Sequence, residues 1–323
     1  MGELLSRLGI FANQMPVVLS QGLIWGIMAI GLYITYKILE LSDLTVDGSF
    51  CTGGATCVIM MVLGYPTWLA MIVACLAGMI TGAITGFLHT VCKIPAILAG
   101  ILTQLGLWTV NMIIMGVKDG DLISTLAIPP LNSNRLVAAN FVDAVEYGTK
   151  PWYLYPPLTM ALMTALVIGI LYWFFGTERG SSIRATGANE NMARAQGINT
   201  NLNKMIGLML ANGLVALSGS LFAQFNGNAE INMGRGAIVI GLAAIIIGDV
   251  LFGKLFKNFA LKLLAVSFGA IIYYFVIQAV LAVLKVDSQY LKLMSAAIVA
   301  LFLTVPNLRG GHFKKHKKTE VRQ

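Results

Sequence analysis

The feature that most constrains this chain is a succession of apolar runs too long for the interior of a soluble domain. Residues 67–92 ("TWLAMIVACLAGMITGAITGFLHTVC") and 95–117 contain no Asp, Glu, Lys or Arg. About 20 mostly apolar residues suffice to cross the hydrocarbon of a bilayer. Candidate spans fall at 15–39, 48–63, 67–92, 95–117, 157–176, 204–226, 237–252, 259–284 and 290–306. The two shortest, 48–63 and 237–252, have the length of half-helices or re-entrant segments. Extended backbone facing lipid is excluded, because its amides would lack partners. The expected fold is an all-α polytopic membrane protein with about eight to ten transmembrane helices, in one domain over 1–306. Only 11% of the 323 residues are charged, against about 25% in ordinary soluble domains.

Charge placement sets the orientation. The loop 177–204 carries Arg179, Arg184, Arg194 and Lys204, and the tail 307–323 holds six Lys/Arg and one Glu. Lys/Arg-rich loops stay on the cytosolic side. Four spans separate the two segments, so both can be cytosolic. The loop 118–156 is mixed and slightly acidic, and is then outside, as is the N-terminus. The tail reads as a juxtamembrane segment, and nucleic acid is not an expected partner. The first apolar run is too long for a cleaved signal peptide and lacks a small-residue cleavage site.

No residue set suggests covalent chemistry. Cys51, Cys57, Cys75 and Cys92 sit in or beside apolar runs without Cys-x-x-Cys spacing and read as small core residues. The histidines His89, His312 and His316 are scattered, so no metal site is expected. "GDVLFGKL" (248–255) nearly spells a phosphate-binding loop, but Leu255 follows Lys254 where Ser or Thr must hold magnesium. Lys254 reads instead as an interfacial anchor. The chain is expected to be no enzyme, with no catalytic residues.

Two breaks repeat along the chain. Span 15–39 is followed by "ELSDLTVDGS" and a short Gly-rich run; span 204–226 is followed by "NGNAEINMGRG" and another. Four spans per half, joined by 157–176, would make the halves inverted. Paired interrupted spans point to a transport pathway between them; two ordinary loops before ordinary helices are the plain alternative. A carboxylate inside the bilayer costs roughly 2.5–3.5 kcal/mol on insertion scales. Asp43 and Asp47, with Asn228, Glu230, Asn232 and Arg235, are therefore candidate pathway residues. The other reading of Asp43 and Asp47 places them in the headgroup layer, capping the helix at 48. Near a gate, a carboxylate can pair with the amine of an amino acid, and helix N-termini favour its carboxylate. Gly78, Gly82 and Gly86 ("GMITGAITG") form a packing stripe, within the subunit or between subunits.

"RATGANENMARAQGIN" (184–199) is a polar island between spans. Residues 188–196 are expected to be helical, with Ala188, Met192 and Ala195 on one face. Glu190 precedes Arg194 by four, the favourable order for an ion pair worth about 0.2–0.5 kcal/mol. Thr186 or Asn189 can cap the start, and Gly197 suits the left-handed stop. A helix this short is marginal alone. A membrane-lying helix would show bulky apolar residues, whereas this small face suits a socket on a protein.

"IRATGANENMARAQGINTN" resembles the cytoplasmic coupling segment of the ribose-type and branched-chain-amino-acid-type ABC importer permeases. Ala185, Gly187, Asn189, Ala193, Gly197, Ile198 and Asn199 match that pattern. "LELSDLTVDGSFCTGGA" resembles permeases of tryptophan/tyrosine or related amino-acid importers, and the span pattern agrees over 15–306. The resemblance implies the transmembrane subunit of an ATP-driven importer in a bacterial plasma (inner) membrane, working as a homodimer. It implies two cytosolic ATPase subunits that carry ATP and Mg, and that grip Arg184, Gly187, Asn189, Glu190, Met192, Ala193, Arg194, Gly197, Ile198 and Asn199. It also implies an extracellular or periplasmic substrate-binding protein and an aromatic or branched-chain amino acid as cargo. A sugar or nucleoside importer, or a secondary transporter without an ATPase, are the alternatives.

Overall fold

The computed structural model describes residues 2–118, 121–128, 155–253, 255–256 and 258–284, with 296, 297, 300 and 304. Most of the expected ninth span (290–306), the tail (307–323), Lys254 and most of the loop 118–156 lie outside the described residues. The helices are α1 (Gly2–Tyr33, continued by a π turn, Ile34–Ile38), α2 (Val46–Val62), α3 (Thr67–Thr90), α4 (Ala96–Met115), α5 (Pro156–Gly176), α6 (Glu178–Ala188), α7 (Glu190–Ala195), α8 (Thr200–Asn226), α9 (Ala237–Phe252) and α10 (Phe259–Leu284). Among the described residues six helices are long and apolar enough to cross a membrane, while α2 and α9 are shorter apolar helices. The polytopic helical expectation holds, and the two runs singled out as short are the two that differ.

The outer spans turn bulky side chains outward, α3 most clearly. On α3, Trp68, Ile72, Leu76, Ile80, Ile84, Phe87 and Val91 are exposed, while Ala70, Ala74, Gly78, Thr81, Gly82, Thr85 and Gly86 are buried. That is the reverse of a soluble helix. Lipid solvates the large apolar side chains, so small residues make the helix contacts. A Cβ on Gly78 would lie 2.3 Å from Ala216 Cβ, one on Gly82 2.3 Å from Leu208 O, and one on Gly86 2.9 Å from Met205 Cγ. The stripe therefore seats α3 antiparallel on α8, within the subunit. α2 reaches α8 equally closely: a Cβ on Gly53 would meet Ala216 O at 1.9 Å, and one on Gly219 would meet Phe50 O at 1.9 Å. α8 is thus enclosed by α1, α2 and α3.

The two breaks lie level with the middle of α8. Asp43 bonds to Asn212, twelve residues into the 27-residue α8, about 18 Å along it at 1.5 Å per residue. From this level α2 runs toward the C-terminal end of α8, with Cys57 beside Gln224 near that end (3.4 Å). α9 starts at the same level, where Asp47 accepts the Gly236 amide (3.1 Å). It then runs the other way to Asp249, which pairs with Lys37 at the C-terminal end of the first span (3.1 Å). Two half-helices begin together and leave in opposite directions.

One feature departs from pure helix. β1 (Val117–Lys118) pairs with β2 (Asp121–Leu122), and β3 (Thr125–Ala127) pairs antiparallel with β4 (Asn228–Glu230). The amides leaving α4 and α8 need partners at the outer end and find them in each other. Cys51 and Cys57 are buried as expected and Cys75 is half-buried, but Cys92, just past α3, is exposed.

The glycine contacts make a direct test. Gly82→Leu is expected to cost about 1–3 kcal/mol by overpacking backbone against backbone, read as a lower thermal midpoint of the purified chain in detergent. Gly106→Ala, where an added Cβ meets nothing within 4 Å, is expected to leave the midpoint unchanged or raise it slightly. Equal midpoints for Gly82→Leu and wild type would show that the α3–α8 seam is not this tight.

Candidate functional site

The polar island is two helices rather than one. Asn189 leaves the helical region (φ −160°, ψ 102°), and its Oδ1 accepts the Met192 amide at 3.0 Å. This corrects the expected helix over 188–196. An Asn side chain that captures a nearby amide competes with the backbone bond and starts a new helix. Of the two cap candidates Asn189 serves. Thr186 is buried late in α6, where its hydroxyl donates to Ser182 O (2.8 Å) and accepts from Asn203 Nδ2 (3.0 Å). Gly197 has φ +80°, and the Ile198 amide closes on Ala193 O at 3.0 Å. Asn199 then caps α8, accepting from Leu202 N at 3.1 Å.

Glu190 and Arg194 form the expected pair (2.6 Å). The other Glu190 oxygen accepts from Lys204 of α8 at 2.7 Å, and Arg194 Nε donates to Thr200 Oγ1 at 2.8 Å. The Lys204 hydrogen bond is the main cause holding the Glu190 carboxyl below its ordinary range; slight burial opposes it, and the Lys204 and Arg194 charges add to it. α6 rests on the inner end of α1: a Cβ on Gly187 would lie 1.7 Å from Ile38 O. Ala193 faces inward, whereas Ala188, Met192 (60% exposed) and Ala195 are exposed, as are Arg184 and Arg194. The small face is left open by the chain itself.

The first break leads into a buried polar cluster. Asp43 is 4% exposed. Its Oδ1 accepts the Thr45 amide (2.9 Å) and its Oδ2 accepts Asn212 Nδ2 (2.7 Å). Ser49 Oγ donates to Asn212 Oδ1 at 2.7 Å and lies 2.7 Å from Thr81 Oγ1. Thr45, Thr85 and Thr103 form a hydroxyl chain at 2.8 and 3.0 Å. Both Asn212 N–H groups are used, the second on Leu208 O. These hydrogen bonds replace the water that the Asp43 carboxyl loses on burial.

Asp47 reaches across to the other half. Its oxygens accept the amides of Gly236 and Ile238, each at 3.1 Å, and so cap α9. It also lines a cleft of about 380 Å³ between α2, α4 and the second break, shared with Gln104, Trp108, Asn111, Asn232 and Arg235. Of the candidate pathway residues, Asp47, Asn232 and Arg235 meet here. Asn228 and Glu230 sit in β4 opposite Ala127 and Thr125, and Asp43 is enclosed on its own. The sequence reading passed over α4. Gln104, Trp108 and Asn111 recur at four and three residues, so one helical face carries the polar and amphipathic groups of an otherwise apolar span. Among the described residues no group of three His, Cys, Asp or Glu could hold a metal.

Comparison with known proteins follows the same lines. The family described as "Branched-chain amino acid transport system / permease component" matches residues 15–303. A tyrosine transport system permease protein of Clostridioides difficile is 36% identical over 292 residues, covering 90% of each chain. The autoinducer 2 import system permease protein of Salmonella typhimurium is 28% identical over 242 residues, 74% of this chain and 63% of its own. The ribose import permease protein of Escherichia coli is 25% identical over 295 residues, 91% of this chain and 86% of its own. No solved structure matches.

The Glu190 contacts give a pH dependence with a definite sign. A carboxyl held low in the folded state stabilises the segment above its unfolded value, and that contribution is lost as pH falls through the folded one. The seat of α7 on α8 is expected to hold at neutral pH and loosen below the ordinary glutamate value of 4.5. A fluorophore on Ala195→Cys, with Cys92→Ser, should show steady anisotropy to about pH 5 and a fall in stronger acid. In Glu190→Gln the anisotropy should be low at every pH. A wild-type profile in Glu190→Gln would remove Glu190 as the clamp.

Proposed function

The chain belongs to the branched-chain amino acid transport system permease family, and from that premise we propose that it is the membrane subunit of an ATP-driven importer of an amino acid, aromatic or branched-chain. It does no covalent chemistry itself. The observation that carries the reading is the seat of the cytosolic segment. α6 presses on the end of α1 at Gly187, immediately before the first break. Glu190 ties α7 to α8 through Lys204, and α8 carries Asn212, the partner of Asp43. A partner pushing on Ala188, Met192 and Ala195 therefore acts on both broken spans.

That partner is a cytosolic ATPase that binds ATP and Mg, one for each permease copy. A second copy of this chain faces the cleft. Arg235 is exposed beside the mid-depth Asp47, and a charge turned to lipid at that depth is costly. Across a watered cavity between two copies the cost falls, and the pathway runs there. A substrate-binding protein delivers solute at the outer side, where β3 and β4 pair. ATP-driven closure of the ATPases shifts the population between inward-open and outward-open arrangements. The bacterial plasma membrane is the setting.

The name of the C. difficile relative supports an amino acid, and those of the ribose and autoinducer 2 permeases keep a sugar-like cargo as the second reading. Opposite charges at one cleft favour a zwitterion over an uncharged sugar. A secondary transporter would move solute on an ion gradient without ATP.

Uptake of labelled tyrosine into proteoliposomes holding the permease, ATPases and binding protein is expected to need ATP and to survive ionophores that collapse ion gradients. Uptake driven by a gradient alone would overturn the reading. Gly197→Val forces a β-branched residue into φ +80°, a strain of about 1–3 kcal/mol. It is expected to cut uptake at least about tenfold by the rate equivalent of that strain, with membrane insertion intact. Wild-type uptake in this variant would remove the coupling role.

A further inference from the structure

The cleft between α2, α4 and the second break holds groups that the fold leaves without partners. Asn111 is 1% exposed. Its amide nitrogen donates to Gly48 O at 3.3 Å, but its Oδ1 is buried with no hydrogen-bond partner. The Asn111 side chain also interacts with the neighbouring Cys51 thiol, which itself donates to Glu230 O at 3.5 Å. Buried acceptors are seldom left open, and an exception calls for an explanation. Arg235, on the same cleft, forms no ion pair with another described residue. It feels the Asp47 charge, yet both Asp47 oxygens are turned to the α9 amides. A carboxylate has about four acceptor positions, so Asp47 can still take further donors. Leu105 and Trp108 of α4 are exposed along the same wall.

We propose that this cleft is a solute subsite for a zwitterionic α-amino acid with an aromatic side chain, which deepens the importer reading and rests on it. Arg235 receives the α-carboxylate, where a guanidinium binds bidentately. Asp47 and Asn111 Oδ1 receive the α-ammonium, whose three donors match their open positions. Trp108 and Leu105 take the ring. The cleft volume of about 380 Å³ lies within the ordinary range of small-molecule sites. A sugar leaves both charges unmet. A lipid headgroup stays at the bilayer surface, about half a bilayer away from this level.

The test uses the complete chain with its ATPase partners in lipid nanodiscs, without the binding protein. Retention of labelled L-tyrosine is measured against tyramine, which lacks the carboxylate, 4-hydroxyphenylpropionate, which lacks the amine, and ribose. Tyrosine is expected to bind at least about tenfold more tightly than either truncated analogue, as loss of a charged partner implies, and ribose is expected not to compete. Arg235→Gln should bring tyrosine down to the level of tyramine, and Arg235→Lys should restore part of the difference. Asn111→Leu should weaken tyrosine and leave 4-hydroxyphenylpropionate unchanged, provided its thermal midpoint matches wild type. If Asn111→Leu does not fold, Arg235→Gln and Arg235→Lys decide alone. No retention of tyrosine by wild type at roughly 10 mM, equal competition by ribose, or unchanged binding in Arg235→Gln would each overturn the subsite. ATP-driven tyrosine uptake by the complete wild-type transporter is read separately. Its presence with an unresponsive cleft sinks only the subsite, and its absence for every amino acid sinks the importer reading.

Discussion

Asp47 joins the two half-helices at the level where both begin. It belongs to the first turn of α2 and accepts the Gly236 and Ile238 amides at the start of α9. The first amides of any helix lack partners within it, and in a bilayer water is not there to supply them. A span that stops and restarts in mid-membrane is viable only if something else caps it. Here the first half does this for the second. The Asp47 carboxyl also sits against the positive ends of two helix dipoles. The broken spans, the cleft and the route from the cytosol depend on this contact.

The first break is held by a separate device. Asp43 fixes the unwound stretch to the middle of α8, and Ser49, Thr81, Thr85 and Thr103 knit α2, α3 and α4 to the same level. A fully satisfied polar cluster in low dielectric is rigid and specific. The second break is exposed at Asn232 and Arg235. Motion and solute are then expected on the second-break side, with α8 and the cluster moving as a body. The cytosolic segment touches that body at two points, Gly187 on Ile38 and Glu190 on Lys204.

Much of this was legible in the sequence because its signals are local. Among the described residues hydropathy found the spans, including the two short ones. Spacing alone found the glycine stripe, the Glu190–Arg194 pair and the Gly197 stop. The rest depends on partners remote in sequence. Lys204 reaches Glu190 from the next span, and Asp47 finds α9 nearly 200 residues away. Asn189 splits the island because its side chain outcompetes a backbone bond, a choice that helix composition does not reveal. α4 looked like plain membrane filler; its face of Gln104, Trp108 and Asn111 acquires meaning only opposite Arg235. The short β3–β4 ladder was hidden because two-to-three-residue strands carry no periodicity.

The central claim is that the half-helices α2 and α9, joined at Asp47, shift when the cytosolic segment is driven. Pulsed electron resonance between spin labels at Leu63, just past the outer end of α2, and Val250, near the inner end of α9, reads this directly in the complete transporter. Both positions are exposed. With Cys92 replaced by serine, the distance distribution is expected to move between nucleotide-free and ATP-bound states, and to stay fixed when Gly197 is replaced by valine. Identical distributions in both nucleotide states of a transporter that still imports solute would contradict the coupling of the cytosolic segment to the broken spans.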